Sequence, residues 1–282
     1  MKNVLIVGGD MRNVYLADEF SKRDCIPLVA GIDASVLEGR GKYEPDFKKA
    51  LASSDIIILP LPTTKDGSKI NTPLFSGDLK VEDILNYAKK DALIFGAMAE
   101  NTRLPEVFPH YKDYSRSEDF AILNAVPTSE GAIMELMKIL PTTIFSSKFI
   151  VTGFGKCARI IAMNLKSLGG IVTVCARSQK DLSFAHSLGF KTVKLNEMHL
   201  YLPRADACFN TVPQRIFSSR ELDSVKKGTP IIDVASAPGG LDEAEAKIRG
   251  VNYLFLPGIP GKYSPVTSGQ IIYKTISNFI NE

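Results

Sequence analysis

Gly153, Gly155 and Ala158 stand at GxGxxA spacing, between an apolar run at 148–152 and an amphipathic segment at 160–168. A second apolar run follows Gly169-Gly170. Strand, glycine turn, helix and strand in that order make up the dinucleotide-binding fingerprint in its working context. A glycine at 153 permits the tight turn. Gly155 lets the backbone approach a pyrophosphate, and a small residue at 158 lets helix and strand pack closely. The helix start adds unpaired N–H groups and the positive end of a dipole. Phe154, Lys156 and Cys157 fill the remaining positions and count with the cofactor contacts. The competing reading is a close-packed turn that holds no ligand.

The strand after this helix ends in Ala176-Arg177-Ser178. An acidic residue there would bond the ribose 2′-hydroxyl of NAD, whereas Arg177 and Ser178 suit a 2′-phosphate. The expected cofactor is therefore NADP, with NAD as the alternative, since Ser178 also reads as a helix cap and Arg177 as a solvated charge. Two later strand ends, Asn210-Thr211-Val212 and the stretch from Asp233 through Ala235, belong to the same ligand-binding edge. Asn210, Thr211, Val212 and Ala235 are expected near the nicotinamide, against ordinary loop chemistry.

The first half carries another strand–turn–helix, Gly8-Gly9-Asp10-Met11-Arg12, without GxGxxG spacing and with a carboxylate where phosphate would sit. It reads as a domain that does not bind nucleotide and faces the cofactor across a cleft. Arg12 is a candidate for holding a substrate carboxylate. The alternative is an ion pair with Asp10. Thr63 and Thr64, Thr128 and Ser129, and Thr267 supply hydroxyls at helix starts and strand ends. Capping explains such residues equally well.

The elements that must position these groups alternate along the whole chain. Apolar runs near 3–7, 27–32, 55–59, 92–95 and 120–124 read as strands, with helices over 12–22 and 81–89 between them. A second series lies near 148–152, 171–175, 190–195, 206–210, 230–234 and 252–256. This is an α/β pattern of two doubly wound parallel-sheet domains, the second a Rossmann dinucleotide-binding domain. The expected division is a substrate and catalytic domain over 1–125 and a connecting segment over 126–147, whose helix runs over 132–140. The Rossmann domain spans 148–265, and a C-terminal helix over 266–282 returns to the first domain.

Composition narrows the class. The chain has 282 residues, 45% of them hydrophobic, and a net charge of +3. Neither a basic run for nucleic acid nor an apolar stretch near membrane-spanning length occurs. The four cysteines form no CxxC pair and the three histidines lack metal-ligand spacing, so reduced cytoplasmic thiols and no metal are expected.

Taken together the motifs resemble the A subunits of dipicolinate synthase over essentially the whole chain. The resemblance rests on Gly-Gly-Asp-x-Arg at Gly8 to Arg12, Pro-Thr-x-Glu-Gly at Pro127 to Gly131, and Gly-x-Gly at Gly153 to Gly155. It extends to Ala-Arg-Ser at Ala176 to Ser178 and Asp-x-Ala-Ser-x-Pro-Gly-Gly at Asp233 to Gly240. The last two motifs are Pro-Gly-x-Pro-Gly at Pro257 to Gly261 and Pro-x-Thr-x-Gly at Pro265 to Gly269. Lys156 departs from an expected Arg, and Ala158 from a common Gly. The resemblance implies NADP-dependent oxidation of dihydrodipicolinate, or its 4-hydroxy-tetrahydro precursor, to dipicolinate, on a branch from lysine biosynthesis. The partner it implies is a smaller, flavoprotein-like B subunit, and the place is the cytoplasm of the mother cell in sporulating bacteria. A homo-oligomer is also expected. A dihydropyridine aromatises by losing a hydride and a proton. The enzyme must hold two carboxylates, for which Arg12 with Thr63, Thr64, Thr128, Ser129 and Thr267 are the candidates. Glu130 and Asp233 are the candidate proton acceptors, each with a structural role as its alternative. The domain order is also similar to that of 2-hydroxyacid dehydrogenases, but these need a late imidazole acid–base and no histidine follows His199. An NADP-binding, non-catalytic chain whose partner carries the activity is the remaining reading.

Overall fold

The computed structural model describes residues 2–281. It divides into two compact units, Met1–Asn124 with Ser264–Glu282, and Ala125–Tyr263. Each is built on one six-stranded, all-parallel sheet.

The first sheet contains β1 (Val4–Val7), β2 (Leu28–Ala30), β3 (Lys42–Tyr43), β4 (Ile56–Ile58), β5 (Leu93–Gly96) and β6 (Tyr111–Asp113), in the order β3-β2-β1-β4-β5-β6. The order reverses between β1 and β4, and ligands of open α/β sheets bind outside the strand ends at that point. β1 reads VLIV and is buried throughout, as a strand covered on both faces must be. Val4 and Ile6 enter one apolar cluster, Leu5 and Val7 the other. This is the two-residue alternation of a strand distributed over two helical layers.

The Pro265–Asn281 helix belongs to this unit and lies on the Met11–Arg23 helix. Gly269 permits the close approach: a Cβ there would stand 2.9 Å from the Arg12 carbonyl oxygen and the Leu16 nitrogen. Ile271, Ile272 and Ile276 enter the core, and Tyr273 packs edge-on against Phe20.

The second sheet repeats the plan. β7 (Lys148–Thr152), β8 (Ile171–Ala176), β9 (Lys191–Lys194), β10 (Ala207–Asn210), β11 (Pro230–Asp233) and β12 (Asn252–Phe255) lie in the order β12-β11-β10-β7-β8-β9. Counted from its own first strand this is again 3-2-1-4-5-6, with the reversal between β7 and β10.

Three expectations need correction. The run at 120–124 is not a strand; it forms the start of a 22-residue helix, Glu118–Ile139, which replaces the shorter helix expected over 132–140. A short apolar run does not distinguish strand from buried helix. Pro127 lies inside this helix, at the cost of one i→i−4 bond. The 126–147 segment, read as a connector, contributes Ala132, Ile133, Leu136 and Ile144 to the second unit's core. The edge strands β3 and β6 were not expected, because two or three residues without an apolar run leave no periodic signal.

Candidate functional site

The turn after β7 has the geometry its spacing requires. Gly153 takes φ +78°, and its N–H donates to the Cys175 carbonyl at 2.8 Å. A Cβ at Gly153 would stand 2.9 Å from Thr211 Oγ1, so both conformation and space call for glycine. Gly155 differs: a Cβ there would meet nothing within 4 Å. It caps the Lys156–Ser167 helix without a side-chain cap bond, and a helix start of this kind is where phosphate groups bind. Ala158 is fully buried against the sheet. Phe154 points into the core, edge-on to Phe184 and Phe190. Lys156 and Cys157 form the first helical positions. Cys157 is half-buried, and desolvation outweighs the opposing Lys156 charge, pushing its thiol pKa up. Open space at Gly155 with uncapped amides behind it fits a pyrophosphate.

The sequence reading missed Arg159. Its Nε donates to the Phe154 carbonyl at 2.8 Å, and its guanidinium lies over the rings of Phe154 and Phe184. It fixes the turn from behind. Its signal was an arginine one turn into the fingerprint helix, near two aromatics that only the fold brings close.

At the end of β8, Ala176 is buried while Arg177 and Ser178 are exposed. Ser178 caps the Gln179–Ser187 helix, accepting from the Asp181 amide at 3.4 Å.

Across the reversal point the strand ends form one network. Thr152 Oγ1 donates to Asn210 Oδ1 at 2.6 Å, and Thr211 Oγ1 donates to the Thr152 carbonyl at 2.8 Å. Asn210 also donates to the Val212 carbonyl and accepts from the Val212 amide. Asp233 is fully buried and accepts from the Ala235 amide at 2.9 Å, the Gly240 amide at 2.7 Å and the Tyr253 hydroxyl at 2.8 Å. The second unit thus gathers Gly153 to Cys157, Ala176 to Ser178, Asn210 to Val212, Asp233 and Ala235 along one edge of its sheet.

The first unit's turn is filled. The Gly9 amide donates to the Asn71 carbonyl at 2.9 Å, and a Cβ at Gly8 would stand 2.7 Å from the Thr72 methyl carbon. Asp10 caps the following helix. It also takes Arg12 in a two-point ion pair, with Nε at 2.8 Å from Oδ1 and Nη2 at 2.9 Å from Oδ2, while Nη2 reaches the Leu61 carbonyl at 2.6 Å. The ion pair with Asp10, the alternative reading of Arg12, is therefore formed, with the arginine buried and not at the surface. Thr63 and Thr64 serve the backbone. Thr63 Oγ1 donates to the Pro60 carbonyl and accepts from Ala97, and Thr64 Oγ1 accepts from Gly67.

The remaining candidates lie on helices. Ser129 is buried, its hydroxyl accepting from Asn164 Nδ2 at 3.0 Å, and Thr128 is buried beside it. Glu130 is exposed, as is Thr267 in the first turn of the C-terminal helix. Among the described residues no group of three or more histidine, cysteine or acidic side chains is arranged to hold a metal, and no helix is long and apolar enough to cross a membrane.

Residues 3–111 match the family model for the N-terminal domain of the dipicolinate synthase A subunit. The A subunit of dipicolinate synthase from Bacillus subtilis is 29% identical over 286 aligned positions, 99% of this chain and 96% of that protein. The crystal structure of the dipicolinate synthase A subunit from Bacillus halodurans superposes with a TM-score of 0.91 at 26% identity, covering 100% of this chain and 98% of that one. A transhydrogenase from Sinorhizobium meliloti shares the fold alone, with a TM-score of 0.68 at 14% identity over 99% of this chain and 93% of that one. In sequence along its full length and in fold, the chain is similar to the A subunits of dipicolinate synthase, and its residues 3–111 match the model of their N-terminal domain.

Proposed function

We propose that the chain is the NADP-dependent dehydrogenase component of a dipicolinate synthase. In this reading it oxidises dihydrodipicolinate, or its 4-hydroxy-tetrahydro precursor, to dipicolinate in concert with a flavoprotein-like B subunit. The observation that carries the reading is the contrast between two glycine turns at equivalent places in two sheets of equal order. One is closed by its own chain, and the other is open at Gly155 over uncapped helix amides.

When bound, a nicotinamide supplies the hydride acceptor. The chain's own residues hold and orient it. Gly153 and Gly155 with the helix amides take the pyrophosphate, and Arg177 and Ser178 take the 2′-phosphate. The edge formed by Asn210, Thr211, Val212 and Ala235 takes the nicotinamide end. The substrate carries its own driving force, because losing a hydride and a proton makes its ring aromatic. The chain must therefore supply alignment and a proton acceptor more than activation. Glu130, which is exposed, fits proton acceptance better than Asp233, whose oxygens already accept from three donors. Arg12, with Thr63, Thr64, Thr128, Ser129 and Thr267, remains assigned to the substrate carboxylates.

None of the three histidines lies at a strand end of the second sheet. His186 is on a helix, His199 in a 3-10 turn and His110 before β6, which counts against carbinol oxidation by an imidazole base. The test combines the chain with freshly formed dihydrodipicolinate synthase product and NADP, with and without the B subunit. NADPH and dipicolinate should both form. If the B subunit forms them without this chain, the activity resides in the partner and the non-catalytic reading holds. If neither product forms in either mixture, the dehydrogenase reading fails.

A further inference from the structure

The loop that follows β11 is held more tightly than a connection requires. Asp233, the last residue of that strand, is fully buried, and its two oxygens accept from three donors. Oδ1 takes the Ala235 amide; Oδ2 takes the Gly240 amide and the Tyr253 hydroxyl. One carboxylate thus grips both ends of the loop and ties them to the neighbouring strand β12. The grip has no slack. At Gly239, which has φ +74°, a Cβ would stand 3.0 Å from the Tyr253 hydroxyl and 3.1 Å from Asp233 Oδ2. At Gly240 a Cβ would stand 2.5 Å from Asn210 Nδ2. The Gly239 amide closes the turn on the Ser236 carbonyl at 3.0 Å. Between these fixed ends Ser236, Ala237 and Pro238 are exposed at the carboxyl edge of the sheet.

A buried carboxylate is costly unless its donors are well placed, and three donors on one acid make a stiff joint. Burial, and then the bond to Asp233, pushes the Tyr253 phenol pKa up, so it stays a donor across the neutral range. In a sheet of this order the pyrophosphate lies at the first turn, and the far half of the dinucleotide crosses to the strands beyond the reversal, β10 and β11. The Ser236–Pro238 tip stands there, away from Arg177 and the adenosine end.

We infer that Asp233 and Tyr253 are positioning residues of the dinucleotide site, which hold the Ala235–Gly240 loop so that its exposed tip receives the nicotinamide half. Asp233 then acts through the loop and not as a proton acceptor. The inference rests on the proposed cofactor and makes a claim about one half of it. A loosened latch should weaken contacts to the nicotinamide half and leave the adenosine half untouched.

The experiment is calorimetric titration of the whole chain and of its Tyr253→Phe and Asp233→Asn variants with NADP and with 2′,5′-ADP, which lacks the nicotinamide half. Tyr253→Phe should raise the dissociation constant for NADP about tenfold and change that for 2′,5′-ADP by less than about twofold, a tenfold change being about 1.4 kcal/mol of binding. A merely structural role would lower the melting temperature and leave the ratio of the two constants unchanged, which overturns the inference. If Asp233→Asn does not fold, Tyr253→Phe decides alone, and the reverse holds equally. A wild-type chain that binds neither ligand overturns the cofactor reading and the inference together. A chain that binds both, with a ratio the variants do not move, overturns only the inference.

Discussion

The amide of Gly9 donates to the carbonyl of Asn71 at 2.9 Å, and this contact distinguishes the glycine turns of two similar folds. Both sheets have the same strand order and both begin with a strand, a glycine turn and a helix. In the first unit, chain from the long β4–β5 connection occupies the place where a phosphate would lie. In the second, Gly155 faces open space. One dinucleotide per chain is therefore expected in titration. Gly155→Ala should leave the melting temperature unchanged, since φ −74° suits any L-residue, and should weaken NADP about tenfold or more by crowding the pyrophosphate. Gly153→Ala should act on stability instead. Its positive φ and the 2.9 Å approach to Thr211 predict a loss of about 1–3 kcal/mol in denaturant unfolding.

Cofactor choice turns on Arg177 in the proposed site. The side chain is exposed just past the end of β8, and the residues that follow it, Ser178, Gln179 and Lys180, are not acidic. Arg177→Ala should raise KM for NADP about tenfold while changing that for NAD by less than about twofold, and the NADP effect should shrink as salt rises. Ser178→Ala carries an added cost, because the hydroxyl caps the next helix; about 0.5–2 kcal/mol of stability should go with it. An unaltered NADP-to-NAD ratio in Arg177→Ala would remove the residue from the site.

Arg12 makes a separable prediction. It is buried against Asp10 and the Leu61 carbonyl, so Arg12→Ala leaves a carboxylate without its partner and should cost about 1–3 kcal/mol in chemical unfolding. If Arg12 also holds a substrate carboxylate, Arg12→Lys should restore much of that stability and still raise the substrate KM, because a point charge cannot reproduce two-point pairing. A lysine variant with unchanged KM would confine Arg12 to holding the turn.

Much of the fold was legible because its strands are unbroken apolar runs. β1, β4, β7, β10 and β11 lie under both helical layers and carry no polar alternation to confuse the reading. The segment at 120–124 misled because an apolar run of that length fits a strand as well as the first turns of a helix. At the site, the fingerprint spacing located Gly153 and Gly155 directly, since those glycines answer to local backbone needs. The latch of Asp233 and Tyr253 was invisible, because 20 residues separate its partners and only the pairing of β11 with β12 brings them together. The filling of the first turn depends likewise on Asn71 and Thr72, far from Gly8 and Gly9 in the chain.

The segment that fills the first turn has its own pH dependence. Asp66 accepts from the Lys69 and Ser68 amides, which lower its pKa from 3.8 to about 2. A depressed carboxylate stabilises the fold at pH above its unfolded value, and that contribution is lost as pH falls through the folded value. The Asp66 turn should thus be fully formed above about pH 5 and give way toward pH 2. Protection of the Gly9 amide, taken relative to the free-peptide exchange rate at each pH, should fall across this window in the wild type. In Asp66→Ala that protection should already be low at pH 6. Exchange that ignores both changes would detach Asp66 from the closure.

The four thiols report on the open turn. Cys175 and Cys208 are fully buried, and burial raises Cys175 to about 12, so neither should react with an alkylating reagent while the chain is folded. Cys25 and Cys157 are half-buried, and burial raises both thiols above the usual value. Their alkylation should be slow at neutral pH and continue to quicken above pH 9, because the thiolate is the reacting form. Of these two, Cys157 lies in the helix that starts at the open turn, and Cys25 lies in the other unit. NADP should therefore slow modification of Cys157, read by peptide mass, and leave Cys25 unaffected. Equal protection of the two would point to a general tightening of the chain, and no protection of Cys157 would place the dinucleotide away from Gly155.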